Sequence, residues 1–293
     1  MGKLSARLGS EMTLNQTIVS RAGIWQCSDH RLVNPGTGEV VDDYSIKHAI
    51  LRCTDGSALL AYAGVGRVGS VDISDWIRET MRGESRTVDQ TLVLLRKNAT
   101  RDLASRLLPH GIVHMFSIGA FLGARPWAVQ IRNFNITNGA PEILDCFETV
   151  AREITADGQG FIFDPSGRAV TPSDRNKLLL AATKKPRDPE QFSKLMARIN
   201  HRASQTAAGS LFISSGCVTT YIPPSGEPFS SKFYGEDFPL GKPAAVPTLL
   251  FGIDLTEIQR VMLGRMPGDQ IPEPEHTRAA SESVIAKNRI RGK

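Results

Sequence analysis

Two short runs of strand-forming residues, 14–20 and 24–28, flank the turn Arg21-Ala22-Gly23, and this arrangement constrains the fold more than any other feature of the chain. β-branched and apolar side chains on either side of a glycine-containing turn specify an antiparallel hairpin. Pairing about that turn returns Asp29 and Arg31 to the side of Thr13, where the first run begins. A hydroxyl, a carboxylate and a guanidinium group thus meet at one end of a hairpin. A threonine hydroxyl is a weak nucleophile at neutral pH and needs a nearby base. A free α-amino group, with an unperturbed pKa of about 7.7–8.0, suits that task. As an N-terminal residue, Thr13 would carry its own base.

The rest of the chain reads as blocks of strands and pairs of helices. A second hairpin is expected from Tyr44 to Cys53 and Ala58 to Ala63 around Thr54-Asp55-Gly56-Ser57, ending at Gly64-Val65-Gly66. Apolar residues at helical spacing predict one helix near 72–82 and another from the Thr87-x-x-Gln90 capping box to Leu107, stopped by Pro109. Strands return at Ile112–Phe121 and Trp127–Ile131, near 142–154 and at 160–163. A second helix pair is opened by Thr171-Pro172 and Asp188-Pro189, each a cap residue followed by proline in the first turn. Strands near 209–214 and 217–222 close the series. Segregated sheets and helix pairs indicate an α+β sandwich rather than alternating βαβ units.

After Pro223 a Pro/Gly/Ser-rich linker is expected to about 247, then a strand-like Leu249–Ile253 and a helix opened by Asp254-x-x-Glu257. Residues 267–293 read as a polar tail, expected to be disordered.

The 293 residues are 41% hydrophobic and 22% charged, the balance of a globular chain with ample core. No apolar run approaches the roughly 20 residues of a membrane helix, and the N-terminus lacks a secretory apolar segment, so a cytoplasmic protein without membrane contact is expected. Cys27, Cys53, Cys146 and Cys217 are scattered, with neither disulfide-framework nor metal-ligand spacing. The net charge of +5 owes much to Lys3, Arg7 and the closing 287–293 segment. That tail has no interleaved aromatic residues, which argues against nucleic acid as a partner.

Over residues 13–222 the chain resembles the proteasome β-type subunits of the N-terminal-nucleophile (Ntn) hydrolases and their bacterial relatives. In that family a nucleophilic threonine opens the first strand and an Asp-x-Arg follows sixteen residues later; Thr13 and Asp29-His30-Arg31 keep that spacing. The family's lysine on the next strand resembles Lys47, allowing a slightly long loop at 34–38. Its Ala-Gly, whose glycine amide faces the developing oxyanion, resembles Ala63-Gly64. Its Ser-Gly before a helix resembles Ser166-Gly167, and its Asp-x-x-Ser falls on His201-Arg202-Ala203-Ser204, with His201 where aspartate is usual. The resemblance implies a four-layer αββα sandwich with a C-terminal extension. It divides the chain into a propeptide or mis-assigned start (1–12), the Ntn domain (13–222), an extension (223–266) and the tail (267–293).

The resemblance further implies a threonine-type hydrolase acting through an acyl-enzyme on Thr13, with no cofactor and no metal, on peptide or unfolded-protein substrates. A homo-oligomeric ring and an unfoldase partner of unknown identity are also implied. Lys47 would favour the alkoxide through its charge, Asp29 would hold and partly neutralise the ammonium, and the Gly64 amide would bind the oxyanion. Taken singly, each residue has an ordinary reading: a strand threonine, a turn ion pair between Asp29 and Arg31, a solvated lysine, a strand-end glycine, a turn serine at Ser166, and helix-end groups at His201 and Ser204. His110 and His114 read as structural. Two other functions fit the same pattern, a catalytically inactive scaffold subunit and an Ntn amidase acting on a small molecule. All catalysis requires removal of the first twelve residues, by self-cleavage or by translation from Met12 followed by methionine removal.

Overall fold

In a computed structural model the described residues are 13–34, 37–138, 140–155, 160–163, 170–183, 188–207, 209–235, 245–256 and 258, with residues 160–163 described as backbone alone. The chain divides into two compact units, Met1–Thr256 and Glu257–Lys293; only residue 258 of the second is described. No helix among the described residues is long and apolar enough to cross a membrane.

The first unit is a mixed α and β structure. In chain order its strands are β1 (Asn15–Ser20), β2 (Gly23–Asp29), β3 (Leu32–Val33), β4 (Val40–Asp42), β5 (His48–Cys53), β6 (Gly56–Ala63), β7 (Arg67–Val68), β8 (Val71–Asp72), β9 (Met115–Leu122), β10 (Arg125–Thr137), β11 (Ala140–Glu153), β12 (Gly160–Phe163), β13 (Cys217–Ile222), β14 (Ser230–Tyr234), β15 (Thr248–Leu250) and β16 (Ile253–Asp254). One sheet runs β12-β1-β2-β13-β14 and a larger one β11-β10-β9-β6-β5-β15-β16, with two small ribbons, β3-β4 and β7-β8.

Alternation along the strands assigns each residue a face. Ile18 and Trp25 are cross-strand partners and join the core beneath two helices, α3 (Pro172–Thr183) and α4 (Pro189–Ser204), through Leu178, Phe192 and Met196. Their neighbours Val19 and Ile24 turn the other way, clustering with Ile50, Leu59 and Phe121 of the larger sheet. Leu51, Leu60 and Phe116 from that sheet pack with Ile73, Trp76 and Leu95 of α1 (Ile73–Met81) and α2 (Val88–Ala99). β1 and β2 are buried throughout, so polar residues inside them need partners.

The helix starts follow the capping chemistry read from the sequence. Asp72 accepts from Ser74 and Asp75 amides, Thr87 and Gln90 form the reciprocal capping box, and Asp188 accepts from Glu190 and Gln191. Beyond Ala99 the second helix continues through a π-helical stretch, Thr100–Ala104, to a last turn at Ser105–Leu107.

Several expectations are corrected. Tyr44–Lys47 lies outside the second hairpin's strand, which starts at His48. Residues 112–114 likewise precede β9, which starts at Met115. Residues 209–214 form no strand: their backbone bonds locally, with Ser210 donating to Thr206 and Ile213 to Gly209. The apolar run Leu211-Phe212-Ile213 imitates a strand, yet Leu211 is exposed and Ile213 buried. The 223–247 linker contains β14, which pairs with the otherwise open side of β13. Within Leu249–Ile253, Leu249 and Leu250 belong to β15, parallel to β5, and Ile253 to β16, joined by a tight turn with positive φ at Phe251 and Gly252. The Asp254 side chain bonds Thr256 and pairs with Arg78 and Arg82; Glu257 of the expected box lies outside the described residues.

A polar seam crosses the space between the sheets. His48 Nδ1 lies 2.8 Å from Ser28 Oγ, its Nε2 2.8 Å from Thr220 Oγ1, and Thr220 Oγ1 2.9 Å from Ser231 Oγ. Burial pushes the His48 imidazole down to about 3, whereas in an unfolded chain it titrates near 6.5. Since the unfolded chain binds the proton first, this stability is complete above about pH 6.5 and declines as the pH falls toward 3. We expect His48→Gln, which keeps a donor and an acceptor, to lower the pH dependence of unfolding free energy between pH 6 and 4 by about 1.4 kcal/mol per pH unit. Urea unfolding at several pH values measures it.

Candidate active site

The hairpin register places Leu14 opposite Asp29, one step beyond the paired Asn15 and Ser28. The Asp29 amide donates to the Leu14 carbonyl, 3.3 Å, and the Leu14 amide donates to Asp29 Oδ2, 2.8 Å. Asp29 Oδ1 accepts from the Arg31 amide at 2.8 Å and from the Ser214 amide at 3.4 Å. The same oxygen also accepts from Lys47 Nζ at 3.0 Å, and that ammonium lies 3.2 Å from Thr13 Oγ1. Neither side chain of the Asp29–Lys47 pair is exposed.

Burying two charges is costly, and opposite charge with full hydrogen bonding offsets that cost. The carboxylate therefore fixes the lysine, and the lysine fixes the threonine hydroxyl. Lys47 reaches the site because it immediately precedes β5, where its carbonyl accepts from the Tyr62 amide and extends the β5–β6 ladder. Arg31 takes another course from the expected turn ion pair. Its guanidinium binds Asp43 at 2.6 Å and the Ser210 carbonyl at 2.8 Å, tying the hairpin end to the 209–214 segment.

Gly64 follows the last residue of β6 with a φ of +113°, and a Cβ there would lie 2.6 Å from the Val113 carbonyl oxygen. Only glycine fits this conformation and this approach. Asn15, two residues after Thr13, donates from Nδ2 to the carbonyl of Tyr62, two residues before Gly64, so the threonine strand and the glycine turn are joined directly. Ser166 lies outside the described residues. The Ser204 hydroxyl donates to the His201 carbonyl, 2.8 Å, and accepts from Gln205; His201 is exposed. Among the described residues no three His, Cys, Asp or Glu side chains converge as metal ligands.

Two participants escaped sequence reasoning. Ser214 supports Asp29 through its amide and the His30 amide through its hydroxyl, 2.9 Å. Its sequence separation from Asp29 is 185 residues, so no local signal links them. Asn15 was legible only as a polar residue in a strand with no exposed face.

The pair at the centre of the site makes a stability prediction. Lys47→Ala leaves the Asp29 carboxylate buried and unpaired, and a loss of about 3–5 kcal/mol is expected in denaturant unfolding. Adding Asp29→Asn removes the orphaned charge and should recover a large share of that loss; equal losses in the single and double variants would show that the pairing is energetically idle.

No protein-family model matches this sequence, and no curated protein matches it by sequence similarity. Solved structures do match by fold. A helical assembly of the Anbu complex from Pseudomonas aeruginosa aligns with a TM-score of 0.51 at 12% identity, covering 88% of this chain and 100% of the other. Anbu, an ancestral β-subunit, from Yersinia bercovieri aligns with a TM-score of 0.47 at 12% identity over 87% of this chain and 99% of the other. Anbu from Hyphomicrobium sp. strain MC1 aligns at 0.45 and 15% identity over 87% and 100%. The likeness to the Pseudomonas aeruginosa protein supports a proteasome-like fold for this chain.

Proposed function

We propose that this protein is a threonine-type Ntn hydrolase with the four-layer αββα architecture, cleaving peptide bonds through Thr13 once its amino group is free. The observation that carries this reading is the placement of one buried ammonium 3.2 Å from Thr13 Oγ1 and 3.0 Å from the Asp29 carboxylate. A lysine held this way has little use in a merely structural strand, where an apolar side chain would avoid the desolvation cost. Beside a nucleophilic hydroxyl, its charge stabilises the alkoxide as it forms.

In the proposed reaction Thr13 Oγ attacks the substrate carbonyl while its proton passes to the free α-amino group of Thr13. The tetrahedral oxyanion takes a hydrogen bond from the Gly64 amide. The C–N bond then breaks, the leaving amine accepts the proton, and an ester remains on Thr13. Water, deprotonated by the α-amino group of Thr13, hydrolyses that ester, and the proton returns to Thr13 Oγ as the hydroxyl is restored. Asp29 and Lys47 hold their charges throughout. Ser166 and Ser204 remain proposed helpers near the amine, on the resemblance alone.

The amine exists only when the bond between Met12 and Thr13 is cut, so residues 1–12 act as a propeptide or precede the true start. The reading places a homo-oligomer in the cytoplasm, acting on peptides or unfolded chains; the Pseudomonas aeruginosa neighbour is described as a helical assembly.

Protein produced to begin at Thr13 tests the reading. It should hydrolyse peptide amides, and Thr13→Ala should lower turnover by at least about 10³-fold while leaving the fold intact. Equal turnover by the alanine variant would place the chemistry elsewhere. Turnover of short acyl amides with none of peptides would favour a small-molecule amidase.

A further inference from the structure

His114 sits directly behind the Gly64 turn. Ala63 pairs with Met115 at the end of the β6–β9 ladder, and the next step in that register sets Gly64 opposite His114. A Cβ on Gly64 would lie 2.8 Å from His114 Nδ1 and 3.0 Å from its Cα. The imidazole is 1% exposed, stacked on Tyr62 with centroids 5.9 Å apart, and set edge-on to Phe116 at 4.9 Å. Neither ring nitrogen has a hydrogen-bond partner among the described residues. Unpaired buried nitrogens are costly where a phenyl ring offers the same apolar area, so the imidazole calls for an explanation.

The backbone around His114 is built to hold it. Asn133 occupies the irregularity in β10 between Arg132 and Phe134 and is fully buried. Its Oδ1 accepts from the His114 amide at 2.6 Å, its Nδ2 donates to the Ile112 carbonyl at 2.9 Å, and its amide donates to the His114 carbonyl at 3.2 Å. Three hydrogen bonds from one bulge residue thus fix residues 112–114, and with them the ring against Gly64. Tyr62, beneath the ring, bonds both Lys47 and Asn15 through its backbone.

We propose that His114 is a positioning residue for the Gly64 turn, an Nδ1 without hydrogen allowing an approach that the C–H edge of a phenyl ring would block. The neutral ring this requires agrees with its burial, which pushes the imidazole down to about 3. The glycine amide is thereby held in the orientation that receives the oxyanion, a role that rests on the function proposed above.

The test uses the full chain beginning at Thr13 and compares wild type with His114→Phe, which keeps the stacked ring. Because Ala63-Gly64 is one of three Ala–Gly pairs in the sequence, with Ala22-Gly23 and Ala208-Gly209, carbonyl-labelled alanine with amide-labelled glycine leaves three resonances, and Ala22→Ser and Ala208→Ser, each removing one of the other two, identify that of Gly64. We expect that resonance to shift in His114→Phe. We also expect kcat for peptide hydrolysis to fall by at least about tenfold with KM within about twofold, the pattern of a lost transition-state interaction. A peptide vinyl sulfone, to which Thr13 Oγ adds across the C=C bond without forming a carbonyl oxyanion, should react within about threefold of the wild-type rate.

An unmoved Gly64 resonance in folded His114→Phe, or an unchanged kcat, overturns the proposal. Should that variant fail to fold, Asn133→Asp keeps the acceptor for His114 and loses the donor to Ile112, and the same shift and kcat loss are expected from it. If wild type itself neither hydrolyses peptides nor reacts with the sulfone, the hydrolase reading fails, and the Gly64 resonance alone still decides the positioning role.

Discussion

The ion pair between Lys47 and Asp29, with no solvent on either side chain, is the interaction around which the site is organised. A buried ammonium tolerates few geometries, because its desolvation is offset only where charge and hydrogen bonds converge. Four parts of the chain supply them: the Leu14 and Arg31 amides flank the carboxylate, the 209–214 segment contributes Ser214, and the residue before β5 contributes the lysine. The two sheets must therefore assemble in register before the pair is satisfied. The hydroxyl of Thr13 lies beside the pair, and its position follows from theirs.

This dependence explains how much was legible in the sequence. The hairpin register is local, set by the turn at 21–23, so the return of Asp29 to the threonine end, opposite Leu14, follows from counting residues. Lys47 is reached through the family resemblance alone, and the strand expected to hold it begins one residue later. The helix starts were legible because each cap bonds within its own first turn. Ser214, Asn15 and Asn133 were not, since their partners are fixed by tertiary packing. The 209–214 segment was misread because a short apolar run does not distinguish a strand from a turn with one buried face. β14 was hidden because an edge strand of polar and aromatic residues resembles a linker.

Three polar side chains inside the buried strands share one pattern. Asn15, Gln26 and His48 each spend their hydrogen bonds on a different strand or on the facing sheet, which fixes the sheets' relative register as apolar contacts alone would not. Among the described residues His114, just before β9, makes no such bond from either ring nitrogen, as the Ser57 and Ser117 hydroxyls do not, and it borders the one turn whose amide the proposed chemistry uses. Fold likeness to the Anbu neighbour says nothing of this, because a fold does not fix a function.

The central claim is that Thr13 is the nucleophile and that its own amine is the base. Mass mapping of the protein isolated from its own host, after reaction with an electrophilic peptide, tests both parts at once. The account predicts a chain beginning at Thr13 and carrying a single adduct on that residue. A chain that retains residues 1–12, or an adduct on any other side chain, would contradict it.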